Sequence, residues 1–351
     1  MSIKDLLCRH YAVYPKMQVQ DMVKLVYQNE FAGGHMIANV RDSLLRLQEE
    51  RSSGRINMSY FADIFEDIGN NLCRLHLAVF NKYDISAETV NRFFIVTANL
   101  VTGDVASFEA KLETLKECCR NHLLPYRLSE VENYLRDYKK AGYPQVGHSQ
   151  VYREAYFPAY RIVKSEYSRF FELFCRIDSL TKSKDRVCVA IDGNCCAGKS
   201  RLADLIAGVY DCNVFHMDDF FLPPGLRTPE RLAEAGGNVD YIRFDREVIQ
   251  GLNSGRGFEY RKFDCQRNAY EPVWVNPKKL NIIEGAYSMH PKLIRNYDLK
   301  AFLSIDEEEQ VSRILNRNGE QMLKRFVCEW IPMENRYFDE LKIKEKCDLV
   351  F

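Results

Sequence analysis

Residues 193 to 200 read GNCCAGKS and match the G-x-x-x-x-G-K-[ST] pattern of a phosphate-binding loop. An apolar run from Val187 to Ile191 precedes this segment, and a helix-like stretch from Arg201 to Val209 follows it. The pattern therefore requires a strand, a tight turn and a helix in succession. In that context, backbone N–H groups turn inward around phosphate oxygens at the positive end of the helix.

Each position of this loop has a predicted task. Lys199 can reach the outer phosphates of a nucleoside triphosphate, and the Ser200 hydroxyl suits Mg²⁺. We therefore predict ATP and Mg as cofactors. The predicted nucleotide-binding residues are Gly193, Asn194, Cys195, Cys196, Ala197, Gly198, Lys199, Ser200 and Arg201.

The chain around and after this loop alternates between strand-like and helical runs. Such βα alternation predicts an α/β fold, a doubly wound parallel sheet of the P-loop NTPase type, spanning residues 186–351. Ligands in such folds collect at the carboxyl ends of the strands. The predicted strands are Val187 to Ile191, Asn213 to His216, Leu280 to Ile283, Lys300 to Ile305 and Asp348 to Phe351.

The first half of the chain carries helical periodicity instead. It predicts a separate all-α domain over residues 1–178, joined to the second domain by the polar stretch from Asp178 to Arg186. The Gly33-Gly34-His35 turn and the aromatics between Tyr156 and Tyr167 belong either to a pocket or to the core. Aromatics at helical spacing favour the core.

Composition narrows the class of partner. The 351 residues carry a formal net charge of +0 without a long basic block, which favours a small-molecule substrate over nucleic acid. Apolar runs are too short for a membrane span, so we expect no membrane partner. The 12 cysteines lack C-x-x-C spacing and fit reduced thiols in a cytoplasmic protein. A homo-oligomer is compatible with the sequence.

Carboxylates follow two of the predicted strands. Asp218 and Asp219 come after the second strand; one could accept a proton from an attacking hydroxyl, and the other could orient water on Mg²⁺ or fix the loop. Glu284 ends the third strand, where an acid could orient Mg²⁺ through water. Arg313 and Arg317 lie in a basic segment that is either a lid over the transferring phosphoryl group or an exposed helix face.

The segment GGNVDYIRFD, residues 236–245, offers further candidates. Asp240 could bind sugar hydroxyls, because a carboxylate accepts two hydrogen bonds in one plane. Tyr241 is as consistent with packing as with recognition. Asp245 is predicted to cap the helix that follows.

Together, the blocks GNCCAGKS, HMDDFF, GGNVDYIRFD, IIEGAYS and RILNRNG resemble the uridine kinase branch of the P-loop kinases, over roughly residues 186–351. The resemblance implies that Asp218 is the base for a nucleoside 5′-hydroxyl, with Asp219 beside it. It also implies that Glu284 assists Mg²⁺ and that Arg313 and Arg317 form the lid. The implied acceptor-site residues are Asp240, Phe221 and Phe263, the last two as walls of a base pocket.

The chain departs from that family at FDCQRN, residues 263–268, which lacks the histidine of the pyrimidine pocket. The amino-terminal half is similar to a helical region of unstated role that is fused to uridine kinase-like domains in some bacteria. The sequence therefore predicts an ATP-dependent phosphotransferase acting on a nucleoside 5′-hydroxyl. The alternatives are a kinase of another small alcohol, such as a sugar phosphate, a pantothenate-like alcohol or a modified nucleoside, and a nucleotide-dependent regulatory switch.

Overall fold

A computed structural model describes residues 1–34, 36–52 and 63–351. The chain forms two compact units, Met1–Phe171 and Glu172–Phe351. The boundary lies earlier than the one predicted from the polar stretch, because that stretch is largely helical. Helix Phe171–Ser183 runs through Asp178 and belongs to the second unit from Glu172 onward.

The first unit is not all-α, contrary to the prediction. Strands β1, β2 and β3 form a three-stranded antiparallel sheet in that order. These strands are β1 (Phe65–Gly69), β2 (Leu72–His76) and β3 (Tyr160–Lys164). Each strand has only five residues, and β3 pairs with a strand far away in sequence, so helical periodicity in the flanking segments concealed them.

Helices precede, separate and follow the strands of this sheet along the chain. They are α1 (Ile3–Val13), α2 (Val19–Phe31), α3 (Val40–Ser52), α4 (Val79–Lys82), α5 (Ala87–Leu100), α6 (Val105–Arg120), α7 (Leu128–Lys140), α8 (Gln150–Tyr156) and α9 (Ser165–Arg169). Ser86 and Asp104 cap α5 and α6 by accepting backbone N–H groups of their first turns. The apolar face of α2, including Met22, Val23 and Val26, is fully buried in the core.

The second unit begins with α10 (Phe171–Ser183) and alternates strands with helices. Its strands are β4 (Val187–Gly193), β5 (Cys212–His216), β6 (Phe258–Asp264), β7 (Ala269–Val275), β8 (Leu280–Glu284), β9 (Leu299–Leu303) and β10 (Leu349–Val350). Its helices are α11 (Lys199–Ala207), α12 (Pro229–Ala233), α13 (Tyr241–Phe244), α14 (Gln250–Ser254), α15 (Glu307–Arg325) and α16 (Ile331–Glu340).

Five of these strands form a parallel sheet in the order β10-β9-β4-β8-β5. The predicted α/β class with a doubly wound parallel sheet is therefore confirmed, and all five predicted strands are present. From β4 the chain crosses to β5 on one side of the sheet, and from β8 it crosses to β9 on the other side of β4. The strand order therefore reverses beside β4, which makes its carboxyl end a topological switch point. Strands β6 and β7 form a separate antiparallel hairpin that was not predicted from the sequence.

Within the described part of the chain, no single helix has the length and apolar character needed to cross a membrane. Helices α5 and α6, which are bent by 103° relative to each other, meet the length and composition criteria only when taken as a pair.

Candidate functional site

The loop after β4 has the backbone conformation that its sequence predicts. Gly193 has φ of 134°, and a Cβ atom there would lie 2.1 Å from the carbonyl oxygen of Leu303. Only glycine permits that approach between β4 and β9. Cys196 and Gly198 also have positive φ, at 59° and 99°, which curls the loop before α11 begins at Lys199.

The strand register brings the remaining candidates to this loop. Glu284 pairs with Ile191 on one side and with His216 on the other, so β4, β8 and β5 end in one row. The 3₁₀ turn Met217–Phe220, which carries Asp218 and Asp219, follows β5 directly. The second unit thus has a P-loop fold with its acidic side chains at the same sheet edge.

Lys199 is folded back onto its own loop. Its ammonium group donates to the carbonyl oxygens of Gly193 at 2.8 Å and Asn194 at 2.9 Å. The side chain is 9% exposed, so these carbonyls satisfy a nearly buried cation. A phosphate group with stronger negative charge would compete for the same ammonium.

Glu284 connects the loop with β5. Ser200 donates its hydroxyl to Glu284 Oε1 at 3.1 Å, and His216 Nδ1 lies 2.6 Å from the same oxygen. This hydrogen bond is the main reason why the pKa of His216 is raised above 6.5. A hydroxyl beside a carboxylate is a ligand pair that suits Mg²⁺, so the residues present fit the predicted ion. Within the described residues, no group of three or more His, Cys, Asp or Glu side chains is arranged to hold a metal.

Asp218 lies next to this group with its carboxylate accessible to solvent. Protein atoms nevertheless surround it closely enough that desolvation raises its pKa above 3.8; Lys199 opposes this effect, while Glu284 and Asp219 add to it. No ion pair or hydrogen bond within the described ranges occupies its oxygens. The arrangement leaves a carboxylate free to accept a proton in the wall of a cleft.

Asp219, in contrast, is held on several sides and is 6% exposed. Lys262, on β6, lies 3.2 Å from its Oδ1, and the Tyr260 hydroxyl is 3.4 Å from its Oδ2. The backbone oxygen of Asp219 also accepts a bond from Arg243 at 3.1 Å. The two adjacent aspartates therefore have different environments, one accessible and one fixed.

The other acceptor-site candidates have structural contacts in this structure. Asp240 is the N-cap of α13: its Oδ1 accepts the Arg243 N–H at 3.0 Å, and its Oδ2 lies 3.4 Å from Arg243 Nε. The prediction that Asp245 caps a helix is wrong, because Asp240 caps α13 and the segment from Asp245 has no side-chain cap. Tyr241 stacks on His290 with ring centroids 3.8 Å apart, which is packing.

The two aromatic candidates differ in position. Phe221 is half-buried and forms an isolated antiparallel bridge with Val239. Phe263, on β6, is 4% exposed and packs against Tyr270 of the neighbouring strand. Neither contact excludes a ligand, and neither identifies one.

The predicted lid lies in α15, which is interrupted at Gly319, where φ is 77° and ψ is 172°. Arg313 donates to the carbonyl oxygen of Cys196 at 3.0 Å and also pairs with Glu309. Arg317 is exposed and, within the residues described, contacts no carboxylate. The structure thus places Arg313 on the loop itself and leaves Arg317 at the surface.

Sequence reasoning missed two buried carboxylates that support the loop. Asp192 is fully buried; its Oδ1 accepts the N–H groups of Gly193 and Tyr287 at 2.8 and 3.2 Å. Its Oδ2 accepts the Met289 N–H and the Tyr337 hydroxyl, each at 2.9 Å. An acidic residue inside an otherwise apolar strand was the available signal, because buried charges need partners.

Glu334 is the second missed residue. It is 6% exposed on α16, and its Oε2 accepts the backbone N–H of Cys195 at 2.9 Å. Burial raises the pKa of Glu334, and the Lys199 charge opposes that rise. Gln310 on α15 donates to the carbonyl oxygen of Cys195 at 3.1 Å. No local pattern reveals these contacts, because they join segments far apart in sequence.

No family model and no curated protein matches this chain. Among solved structures, a possible uridine kinase from Bacillus stearothermophilus is 20% identical with a TM-score of 0.39, and the alignment covers 51% of this chain and 99% of the other. A protein described as a fructose transport system kinase from Silicibacter sp. TM1040 is 22% identical with a TM-score of 0.40, covering 48% and 91%. A D-glycerate 3-kinase from Cryptococcus neoformans is 12% identical with a TM-score of 0.32, covering 44% and 80%.

Proposed function

We propose that the second unit is an ATP-dependent phosphotransferase that moves the γ-phosphoryl group to a hydroxyl of a small molecule. One observation carries the proposal: a phosphate-binding loop and an unpaired carboxylate, Asp218, lie at the same edge of a parallel sheet. A protein that only senses nucleotide needs the loop but has no use for a base beside it.

In this proposal, different residues of the second unit bind the phosphates, the acceptor hydroxyl and the metal ion. Loop N–H groups and Lys199 would bind the phosphates, with Lys199 exchanging its bonds to Gly193 and Asn194 for phosphate oxygens. Asp218 would orient the acceptor hydroxyl and take its proton late in a loose transition state. Ser200 and Glu284 would hold Mg²⁺, directly or through water, and the ion neutralises phosphate charge when bound.

The arginines supply further positive charge. Arg313 already contacts the loop carbonyl of Cys196, so a small rotation of its guanidinium would present it to a phosphoryl oxygen. Arg317 needs a movement of α15, and the non-helical Gly319 gives that helix a point at which to bend. We assign both to stabilisation of the transferring group.

The acceptor we propose first is the 5′-hydroxyl of a nucleoside, on the resemblance of the sequence blocks. Asp240 as a sugar ligand would have to give up part of its contact with Arg243. Other small alcohols therefore belong in the same test. We propose a cytoplasmic location for this activity.

The test is release of ADP by the full chain with Mg-ATP and a panel of nucleosides, sugar phosphates and pantothenate-like alcohols. We expect one class of acceptor to stimulate release. Asp218→Asn should lower that turnover by roughly two to four decades while ATP affinity stays unchanged. Asp211→Asn is the matched control, since Asp211 is 85% exposed and, among the described residues, its ion pair is with the surface residue Lys278.

Two results would contradict the proposal. Absence of stimulation by every acceptor, with ATP still bound, would favour a nucleotide-dependent switch. Retention of most of the stimulated rate in Asp218→Asn would remove this residue as the base.

A further inference from the structure

The first unit contains a cavity of about 440 Å³. The proposed phosphotransferase reaction does not use this cavity. Helices α2, α3 and α5, strand β3 and the segments around residues 36–39 and 145–146 line it. Tyr27, Phe94 and Ile162 supply apolar wall, while Lys24 and Gln28 supply polar groups. Its size and mixed lining are typical of small-molecule sites. All of these residues belong to the described ranges; His35 of the predicted turn lies outside them.

A continuous hydrogen-bonded network fixes one wall of this cavity. Asp21 Oδ1 lies 3.0 Å from His148 Nδ1, and His148 Nε2 lies 2.6 Å from the Tyr160 hydroxyl. Since a carboxylate only accepts, Nδ1 carries the proton and Nε2 accepts from Tyr160. The Tyr160 oxygen then accepts Gln28 Nε2 at 3.0 Å, and Gln28 Oε1 accepts both Nε and Nη2 of Arg74.

The network holds its groups in neutral or fully paired states. Burial lowers the pKa of His148 to about 4 and raises the pKa of Tyr160. Arg74, fully buried, pairs with Glu66 at 3.0 Å. A tyrosine whose proton is held by a neutral histidine is neither a nucleophile nor a base. The geometry therefore favours binding over catalysis.

Lys24 is the exception in this polar region. Its ammonium group donates to the carbonyl oxygen of Val146 at 2.7 Å but has no ion pair within the residues described. Asp21 is the carboxylate that acts on it, yet both Asp21 oxygens already accept bonds from His148, Ser149 and the Gln18 N–H. The residues outside the described ranges, 35 and 53–62, contain no Asp or Glu.

A partly buried cation of this kind is normally neutralised, because desolvation of an unpaired charge is costly. Burial lowers the pKa of Lys24 to about 8. The rim of the cavity carries a second cation, Arg46, which is exposed and has no ion pair in the described structure. Arg161, also at the rim, pairs with Glu50. Asp42 is the remaining carboxylate of the lining, and it accepts a bond from Asn39.

We propose that this cavity binds a small organic anion, a carboxylate or phosphate ester with an apolar or planar body. Lys24 and Arg46 pair with the anionic group. The second N–H of Gln28 Nε2 donates to the ligand, Tyr160 holds Gln28 in that orientation, and Tyr27 and Phe94 pack against the body of the ligand. The cavity is formed by residues of the first unit, whereas the P-loop belongs to the second, and the cavity takes its own ligand.

Pyridoxal 5′-phosphate is a suitable probe, since it is a planar anion whose aldehyde carbon is attacked by a neutral lysine amine with loss of water. Borohydride then reduces the imine and makes the label permanent. In the full chain we expect Lys24 to be labelled at least about tenfold faster than the exposed Lys16, because lowering a lysine pKa from 10.4 to near 8 raises the neutral fraction about a hundredfold. Peptide mass spectrometry locates the label.

Competition separates the sites and the anion classes. Inorganic phosphate or succinate should slow labelling of Lys24 at least about fivefold, with the stronger competitor identifying the anion. Mg-ATP should protect Lys199 and leave Lys24 labelled. Labelling of Lys24 no faster than that of Lys16, or protection by neither anion, overturns the proposal.

Substitution of an exposed residue at the rim of the cavity tests anion binding without affecting the fold. Arg46→Gln should lose most of the anion protection at unchanged melting temperature, because Arg46 is exposed on α3. Arg41→Gln on the same helix is the control, since Arg41 is exposed and does not line the cavity. Equal protection in both variants, or equal loss in both, removes Arg46 from the site and with it the proposed anion pair.

Discussion

Replacement of Asp192 by asparagine tests whether this buried carboxylate holds the phosphate-binding loop in place. Its two oxygens accept three backbone N–H groups and the Tyr337 hydroxyl. An asparagine has one oxygen, so its NH₂ group must face donors at the other position. The less costly orientation puts NH₂ toward Met289 and Tyr337, because a hydroxyl can turn and accept whereas a backbone N–H cannot.

In that orientation the Met289 N–H is left without an acceptor, and the remaining bonds lose their charge assistance. We expect Asp192→Asn to reduce the free energy of unfolding of the second unit by about 2–4 kcal/mol. ATP affinity should also fall, since the Gly193 N–H at the start of the loop is one of the groups held by Asp192.

Tryptophan fluorescence during urea unfolding is the assay, because both tryptophans, Trp274 and Trp330, lie in the second unit. Asp298→Asn is the matched control. Asp298 Oδ2 accepts the backbone N–H of Cys188 at 2.8 Å, and asparagine can keep that bond with its single oxygen. Its Oδ1 pairs with the half-exposed Lys184 at 2.6 Å, and loss of such a pair costs at most about 1 kcal/mol. The slope of the free energy of unfolding against urea concentration should be equal in both variants.

If Asp192→Asn and Asp298→Asn reduce the free energy of unfolding equally, the reasoning is refuted. Burial raises the pKa of Asp192, while its backbone donors and Lys199 oppose that rise. A neutral carboxyl would already resemble asparagine, and the substitution would then cost little.

Two further predictions concern pH. Asp219 raises the pKa of Asp218 by charge repulsion, so Asp219→Asn should move the acidic limb of the kcat profile to lower pH; an unmoved limb contradicts either the coupling or the role of Asp218 as base. In the first unit, burial lowers the pKa of His10, His76 and His148 from 6.5 to about 4, so their stabilisation is present above pH 6.5 and is lost as pH falls toward 4. Between about pH 7 and pH 5 the loss is about 2 kcal/mol per histidine. The protection factors of the β2 amides, which correct for the slower intrinsic exchange at lower pH, should therefore fall. Protection factors that stay constant over that range would show that folding does not lower the pKa of these histidines.

Local patterns predicted the parts of the second unit that depend on neighbouring residues. The loop motif fixed its own conformation, because its glycines lie where φ is positive or where a second strand approaches. Parallel pairing then placed Glu284 and Asp218 at the loop, since strand ends in such a sheet meet at one edge. The α/β class followed from the same alternation.

Local patterns were less informative about the first unit and about single polar residues. The sheet of the first unit was missed because its strands have only five residues, β3 pairs with a strand far away in the chain, and short apolar runs do not distinguish helix from strand. The prediction that Asp240 binds sugar hydroxyls stays a prediction; in the structure its oxygens contact Arg243, three residues later, as a helix cap. A polar residue near a predicted site can serve the backbone as readily as a ligand.

The sequence by itself determined that a phosphate-binding loop, flanked by strand and helix, lies in a parallel α/β unit. These are properties of residues within a few positions of one another. Only the tertiary structure decided which charges are paired: Glu334 bonds to the loop, Asp192 lies beneath it, and Lys24 has no ion pair among the described residues. The free energy of a buried charge depends on every group around it, and those groups come from distant parts of the chain.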